Sequence, residues 1–324
     1  MRTMCCAGPL STIWIVFNIF ALATASQGDS DVAYLMCTVR CEASMCQDTN
    51  ISRFGAGFPY WDCKNDCSYD CIQEITAHRF SEGYGPLKYF GHWPFLRVFG
   101  LEEAASMVFS VLNAVPYFIS LFRASHLNAD VMKNHFMGYW LYAYYLIAIE
   151  TWLASAFYHS RKTELASLVD FASALFYLSY SLWLAIRRIW GPQASSTKVT
   201  LAFSLFILLF AYRLSGMYSG DVSFDNHMWV SISVAVLNVL TWISWLIFST
   251  ETIRGNGLYR YLCLVSQLWF SLAALLELFD FPAIWGLFDA HSLWHAATIP
   301  LGFIWAYFWE ADMEAAILND KTHL

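Results

Sequence analysis

Long apolar blocks separated by short polar gaps fill most of this chain, and the block lengths set the elements. The first block, Leu10 to Leu22, follows a lone Arg2 and closes in the small-residue run Ala21-Leu22-Ala23-Thr24-Ala25-Ser26. A basic residue, a short apolar stretch and a small-residue exit mark a secretory signal peptide, cut after Ala23 or Ala25, with an uncleaved anchor helix as the alternative. From Ser26 to Gly100 the chain is polar and cysteine-rich. Seven apolar stretches follow, roughly 104–122, 136–158, 167–187, 198–218, 228–249, 259–279 and 290–309. Each is near the ~20 residues that a helix needs to cross ~30 Å of hydrocarbon. The pattern predicts an all-α integral membrane protein, a seven-transmembrane helix bundle with an N-terminal disulfide-rich lumenal domain. Its expected divisions are a cleaved signal peptide over 1–25, a lumenal cysteine-rich domain with an interfacial segment over 26–100, a membrane domain over 101–310 and a cytosolic tail over 311–324.

Composition strengthens the membrane reading. Of the 324 residues 58% are hydrophobic, 18% aromatic and 13% charged. Soluble domains have ~45–50% apolar and ~25% charged residues, so lipid has to cover much of this surface. Eighteen Lys+Arg against 25 Asp+Glu give a net charge of −7. That balance excludes the basic stripe which a nucleic-acid partner requires. Seven crossings put the two ends on opposite sides. Arg123, Lys133, Arg187, Arg188, Lys198, Arg254, Arg260 and Lys321 gather on one side, and the loops of the other side hold only Arg161 and Lys162. The positive-inside rule makes the first side cytosolic and leaves the N-terminal cysteines lumenal.

Cys37, Cys41, Cys46, Cys63, Cys67 and Cys71 form two mirrored triplets in the polar stretch. Behind a signal peptide they read as up to three disulfides, although six cysteines permit 15 pairings and spacing selects none. A zinc knuckle is the rival, disfavoured by the C-x3-C spacing and the oxidising route. Asn50-Ile51-Ser52 is an N-glycosylation sequon in the same stretch. The aromatic run from Tyr84 to Phe99 suits a membrane interface.

Ionisable side chains inside spans are costly and mark function by default. Span two ends in Ser155-Ala156-Phe157-Tyr158-His159, span three carries Asp170 in its first turns, and span seven opens with Asp289-Ala290-His291-Ser292-Leu293-Trp294-His295. The topology therefore delivers Ser155, His159, Asp170, His291 and His295 to one depth in the lumenal leaflet. His291 and His295, four residues apart, share a helix face, as do Ser155 and His159. Three neutral imidazoles can hold Zn2+ and leave a fourth position for a water whose pKa falls to ~7, which is a hydrolase arrangement. A nearby Asp can take the proton of that water or orient a ligand histidine, and a Ser hydroxyl can hold the water or the developing oxyanion. Interfacial histidines are the plain alternative. A Ser-His-Asp triad is another, and it leaves two histidines unused. Glu277 and Asp280 at the end of span six, Asp289 and Glu150 are candidates for outer site positions or for helix-packing hydrogen bonds. Arg213 in span four reads as a snorkelling or paired residue, with a lipid-phosphate contact as the alternative.

The Ser155-x3-His159, Asp170 and Asp289-Ala290-His291-x3-His295 pattern on seven spans resembles the CREST superfamily of membrane hydrolases and receptors, which includes alkaline ceramidases and adiponectin receptors. Within it, the cysteine triplets, Trp93-Pro94-Phe95-x-Arg97, the segment Leu276-Glu277-Leu278-Phe279-Asp280-Phe281-Pro282, and His295 followed by Thr298-Ile299-Pro300 are similar to the post-GPI-attachment-to-proteins factor three (Per-one-like) family. The similarity covers essentially the whole mature chain. It implies remodelling of the lipid anchor on GPI-linked proteins by hydrolysis of the sn-2 fatty-acyl ester, releasing a fatty acid and a lyso-GPI protein. The implied location is the Golgi membrane, or the endoplasmic reticulum membrane as in some members. The resemblance also implies that His159, His291 and His295 carry the Zn2+ while Ser155 and Asp170 serve the catalytic centre. GPI-anchored proteins would be the lipid substrates and membrane lipids the surroundings. Two alternatives stay open, a ceramidase-like amide hydrolase and a non-enzymatic lumenal receptor or chaperone for GPI-anchored proteins.

Overall fold

The computed structural model describes residues 27–46, 61–126, 129–220, 224–249 and 257–321. The expected signal peptide over 1–25 and the Asn50 sequon lie outside the described residues. The chain divides into two compact units, one reaching to Leu96 and including Pro282–Asp289, the other formed by Arg97–Phe281 and the chain from Ala290.

In the first unit, α1 (Val32–Met45) and α2 (Cys63–Ser81) form a helical hairpin. Asp31 starts α1 by accepting the Tyr34 N–H at 3.1 Å, and Asp62 starts α2 by accepting the Asn65 N–H at 2.8 Å. The cysteines pair in nested order, Cys37 with Cys71, Cys41 with Cys67 and Cys46 with Cys63, at Cα separations of 5.8, 5.7 and 5.7 Å. Near-fourfold spacing puts each triplet on one helix face, and antiparallel packing then joins the first cysteine to the last. With all six oxidised, the zinc knuckle loses its ligands. Tyr34 and Tyr89 bury against Cys71 to complete a small core. So small a core makes the bridges carry much of the stability. Changing Cys37 and Cys71 together to Ser is expected to remove about 2–4 kcal/mol, read as an earlier urea transition of this unit in the full chain.

The second unit runs α3 (Ala104–His126), the short α4 (Ala129–Asn134), α5 (Gly138–Ser160), α6 (Glu164–Trp190), α7 (Ser196–Tyr218), α8 (Phe224–Phe248), α9 (Leu258–Phe279) and α10 (Ala290–Lys321). Each expected apolar stretch falls largely within one long helix. Five of these helices, α3, α6, α7, α8 and α9, are long and apolar enough to cross a membrane. The chain is thus all-helical among the described residues, and a multi-pass membrane protein. On α5 and α10 the aromatic and polar interior dilutes the apolarity: Tyr144, Tyr145 and Ser155 on the one, and Trp305, Trp309 and Asp312 on the other, are buried. α10 also continues beyond residue 310, so the first part of the expected tail is helix, with Asp312 and Met313 buried.

The surface and the core exchange the roles they have in water. Leu201, Leu205 and Leu208 of α7 are 67%, 57% and 67% exposed, an aliphatic face that lipid tails would cover. The interior is aromatic, with Trp242 packed edge-on to Trp245, Trp305, Phe308 and Trp309 at 5.1–5.6 Å between ring centroids. α5 packs on α3 and α6, and α10 packs on α3 and α9. Gly302 makes the α3–α10 approach possible, since a Cβ there would stand 2.6 Å from Pro116 Cγ. At one end of the bundle Arg188 grips Asp312 through two hydrogen bonds of 2.8 and 2.9 Å, and Arg123 meets Glu310 at 2.9 Å. Nearby His135 is pushed down to about 4 by burial, and further by Arg188 and Arg187. Its neutral Nδ1 accepts the Met137 N–H at 3.2 Å.

Candidate metal centre

The opposite end of the bundle holds the histidines. α5 carries Ser155 and His159 in its last turns. The chain then turns through Arg161–Thr163, where Thr163 Oγ1 accepts the Ala166 N–H at 3.1 Å and starts α6, so that Asp170 arrives in its second turn. α10 begins at Ala290 and brings His291 and His295 in successive turns. The last carbonyls of α5 have no partner within the helix. They are met by the segment entering α3, where Glu103 N–H donates to His159 O and Glu102 N–H donates to Ser160 O, both at 3.0 Å.

The three imidazoles converge through their Nε2 atoms, at 3.4 Å for His159 to His291 and 2.9 Å for His291 to His295. Each Nδ1 faces a different partner. His159 Nδ1 lies 2.6 Å from Glu103 Oε2, His291 Nδ1 lies 2.6 Å from Glu277 Oε1, and His295 Nδ1 lies 3.3 Å from Ser110 Oγ. These partners fix the proton positions. A carboxylate only accepts, so Nδ1 of His159 and of His291 donates. Ser110 gives its single proton to Ser106 O at 2.8 Å, so it accepts from His295 Nδ1–H. With Nδ1 protonated a neutral imidazole has its lone pair on Nε2, and three such atoms directed at one point suit a cation between them. The donor set therefore fits a metal ion, and His159, His291 and His295 are the side chains that would hold it.

Around this centre Ser155 is buried, with Oγ 3.2 Å from Ser110 Oγ, and the buried Asp170 carboxyl interacts with Ser155 and His291. Asn113 Nδ2 donates to the His295 carbonyl at 2.7 Å and ties α10 to α3. His159 and His295 are both 2% exposed, whereas the His291 and Glu277 side chains are 38% and 41% exposed. The site is thus closed on two sides and open beside His291.

The structure brings together Ser155, His159, Asp170, His291, His295 and Glu277. Asp280 is exposed and ends α9 in the left-handed region at φ 40°, Glu150 is exposed on α5, and Asp289 is buried in the first unit. Arg213 donates to Asn226 Oδ1 at 3.2 Å. Sequence reasoning missed Glu103, Ser110, Asn113 and Lys162. Ser106, Ser110 and Asn113 do leave a trace, a fully buried polar stripe at i, i+4 and i+7 in an otherwise apolar span.

The pattern of the Per1-like family matches residues 56–313 of the chain. The chain is 29% identical over 306 residues to the Xenopus laevis protein named GPI-specific phospholipase A2-like PGAP3, covering 92% of this chain and 94% of the relative. The Homo sapiens protein of the same name is 27% identical over 313 residues, with 94% and 95% covered. The Drosophila melanogaster protein named Post-GPI attachment to proteins factor 3 is 30% identical over 309 residues, with 90% and 91% covered. No solved structure matches the chain.

Proposed function

The chain belongs to the Per1-like family, and we propose that it is a zinc-dependent hydrolase of the GPI-anchor lipid, cleaving the sn-2 fatty-acyl ester of GPI-anchored proteins into a fatty acid and a lyso-GPI protein. The observation that carries the reading is the convergence of three imidazole Nε2 atoms beside a Ser and an Asp. The names of the relatives supply the lipid and the ester class.

His159, His291 and His295 would hold the ion. When bound, zinc supplies Lewis acidity toward the ester carbonyl and lowers the pKa of a water toward ~7. Asp170, beside Ser155 and His291, takes a proton from the attacking water and returns it to the departing glycerol oxygen. Ser155 has one proton to give, and directing it toward the developing oxyanion stabilises the tetrahedral state. Glu277 and Ser110 accept the Nδ1 protons of their imidazoles and keep the Nε2 atoms aimed inward.

In this reading all seven long helices cross, and the histidine end is lumenal, where GPI lipids lie. The cysteine-rich residues 26–100 follow a cleaved signal peptide and face the lumen of the Golgi or endoplasmic reticulum, with the C-terminus cytosolic. The arrangement of the bundle supports it. The site gathers the starts of α3, α6 and α10 and the ends of α5 and α9, while Arg123 and Arg188 sit at the other end, as positive-inside bias requires.

The test is to give purified, zinc-loaded protein a GPI-anchored protein and ceramide in separate reactions and to follow released fatty acid by mass spectrometry. Release from the GPI lipid alone is expected. Ser155→Ala and Asp170→Asn should keep their zinc and lose about 10²-fold or more in rate. Release from ceramide in place of the GPI lipid would make the protein an amidase. Unchanged GPI anchors in cells carrying only Asp170→Asn would point instead to a receptor or chaperone.

A further inference from the structure

The three imidazoles are held from behind by unlike groups. Glu277 is 41% exposed and Ser110 is neutral, whereas Glu103 is a carboxylate only 4% exposed and shared with a lysine. Its Oε2 accepts from His159 Nδ1 at 2.6 Å, and its Oε1 pairs with Lys162 Nζ, a side chain 13% exposed. Burying a carboxylate is costly unless both oxygens are engaged, and here both are. The backbone contributes separately. Glu103 N–H donates to His159 O at 3.0 Å, and Lys162 N–H donates to Glu102 Oε2 at 2.9 Å. The end of α5, the turn after it and the segment before α3 are thereby tied around one imidazole.

We propose that Glu103 is a positioning residue for His159, with Lys162 as its charge partner, and that this pair sets the affinity of the site for its metal ion. The inference rests on reading the three histidines as a metal site. The carboxylate holds the Nδ1 proton, which leaves Nε2 free as a donor and stops the ring from turning. Lys162 pairs with Oε1 while Oε2 holds the imidazole.

Purified full-length protein is titrated with zinc against a chromophoric chelator, and the absorption of its cobalt-substituted form is recorded. Glu103→Gln is expected to weaken zinc binding ~10–100-fold and to shift the cobalt bands. Glu102→Gln, which changes a neighbour bonded to the Lys162 backbone, should leave both unchanged. Lys162→Gln should weaken zinc in the same direction and Lys162→Arg should restore it. Unaltered zinc affinity and cobalt bands in Glu103→Gln overturn the proposal, as do equal losses at Glu102 and Glu103. If Glu103→Gln does not fold, the Lys162 variants decide, and an unaltered affinity in Lys162→Gln overturns the proposal. Absence of zinc binding in the unaltered chain overturns the metal reading itself, a result distinct from equal tight binding in the parent and in Glu103→Gln.

Discussion

His295→Ala is expected to remove stoichiometric zinc from the purified protein and, with it, measurable release of fatty acid. His295 supplies the Nε2 that stands 2.9 Å from that of His291, and its ring is 2% exposed. Without it the site keeps two imidazoles, a donor set short of the three that a catalytic zinc ordinarily takes from protein. The loss should therefore exceed the ~10–100-fold that accompanies removal of an outer partner such as Glu103. Metal analysis after extensive dialysis reads the first effect and mass spectrometry of the lipid products reads the second. Retention of one zinc per chain in His159→Ala, His291→Ala and His295→Ala alike would remove the histidines from the metal site.

The second large effect lies at the other end of the same helix. Asp312 is 17 positions beyond His295, ~25 Å along α10 at 1.5 Å per residue. It is 1% exposed and accepts two hydrogen bonds from Arg188, whose guanidinium lies over the Trp245 ring at 5.3 Å. Asp312→Ala takes from the buried arginine the carboxylate that receives two of its N–H groups, and a loss of about 3–5 kcal/mol in folding stability is expected. Replacing both partners by apolar residues of similar size, Arg188→Met with Asp312→Leu, should cost clearly less than Asp312→Ala alone, because no uncompensated charge is left. Unfolding in detergent, compared across the single and double variants, reads the difference. Equal losses in both would mean that the pair acts through shape and not charge. Zinc content of the refolded protein should be unaffected, since Asp312 lies ~25 Å along α10 from His295.

These two ends were legible to different degrees. Ser155 with His159, and His291 with His295, share faces because residues four apart on a helix always do, so spacing was enough to propose them as pairs. Asp170 needed only the direction in which each span runs. Glu277 could be marked as a candidate because it is an acid inside an apolar block. Glu103 gave no such signal, since an acidic residue just before a span looks like an ordinary solvated boundary. Its place behind His159 depends on the segment before α3 meeting the open carbonyls of α5. Ser110 likewise depends on how closely α3 approaches α10, which the absence of a side chain at Gly302 permits. The basic residues illustrate the converse. As a set they indicated an orientation, yet Arg188 and Arg123 are engaged with Asp312 and Glu310, partners more than a hundred residues away.

By itself the sequence determined the helical blocks, the membrane setting and the pairs of site residues that share a helix face, because these follow from local period and from transfer free energy along one segment. Only the tertiary structure decided which cysteines join, which nitrogen of each histidine faces the other two, and which groups stand behind them. Those outcomes depend on the register between helices that are far apart in the chain, and register is set by packing across the whole bundle, not by any single segment of it.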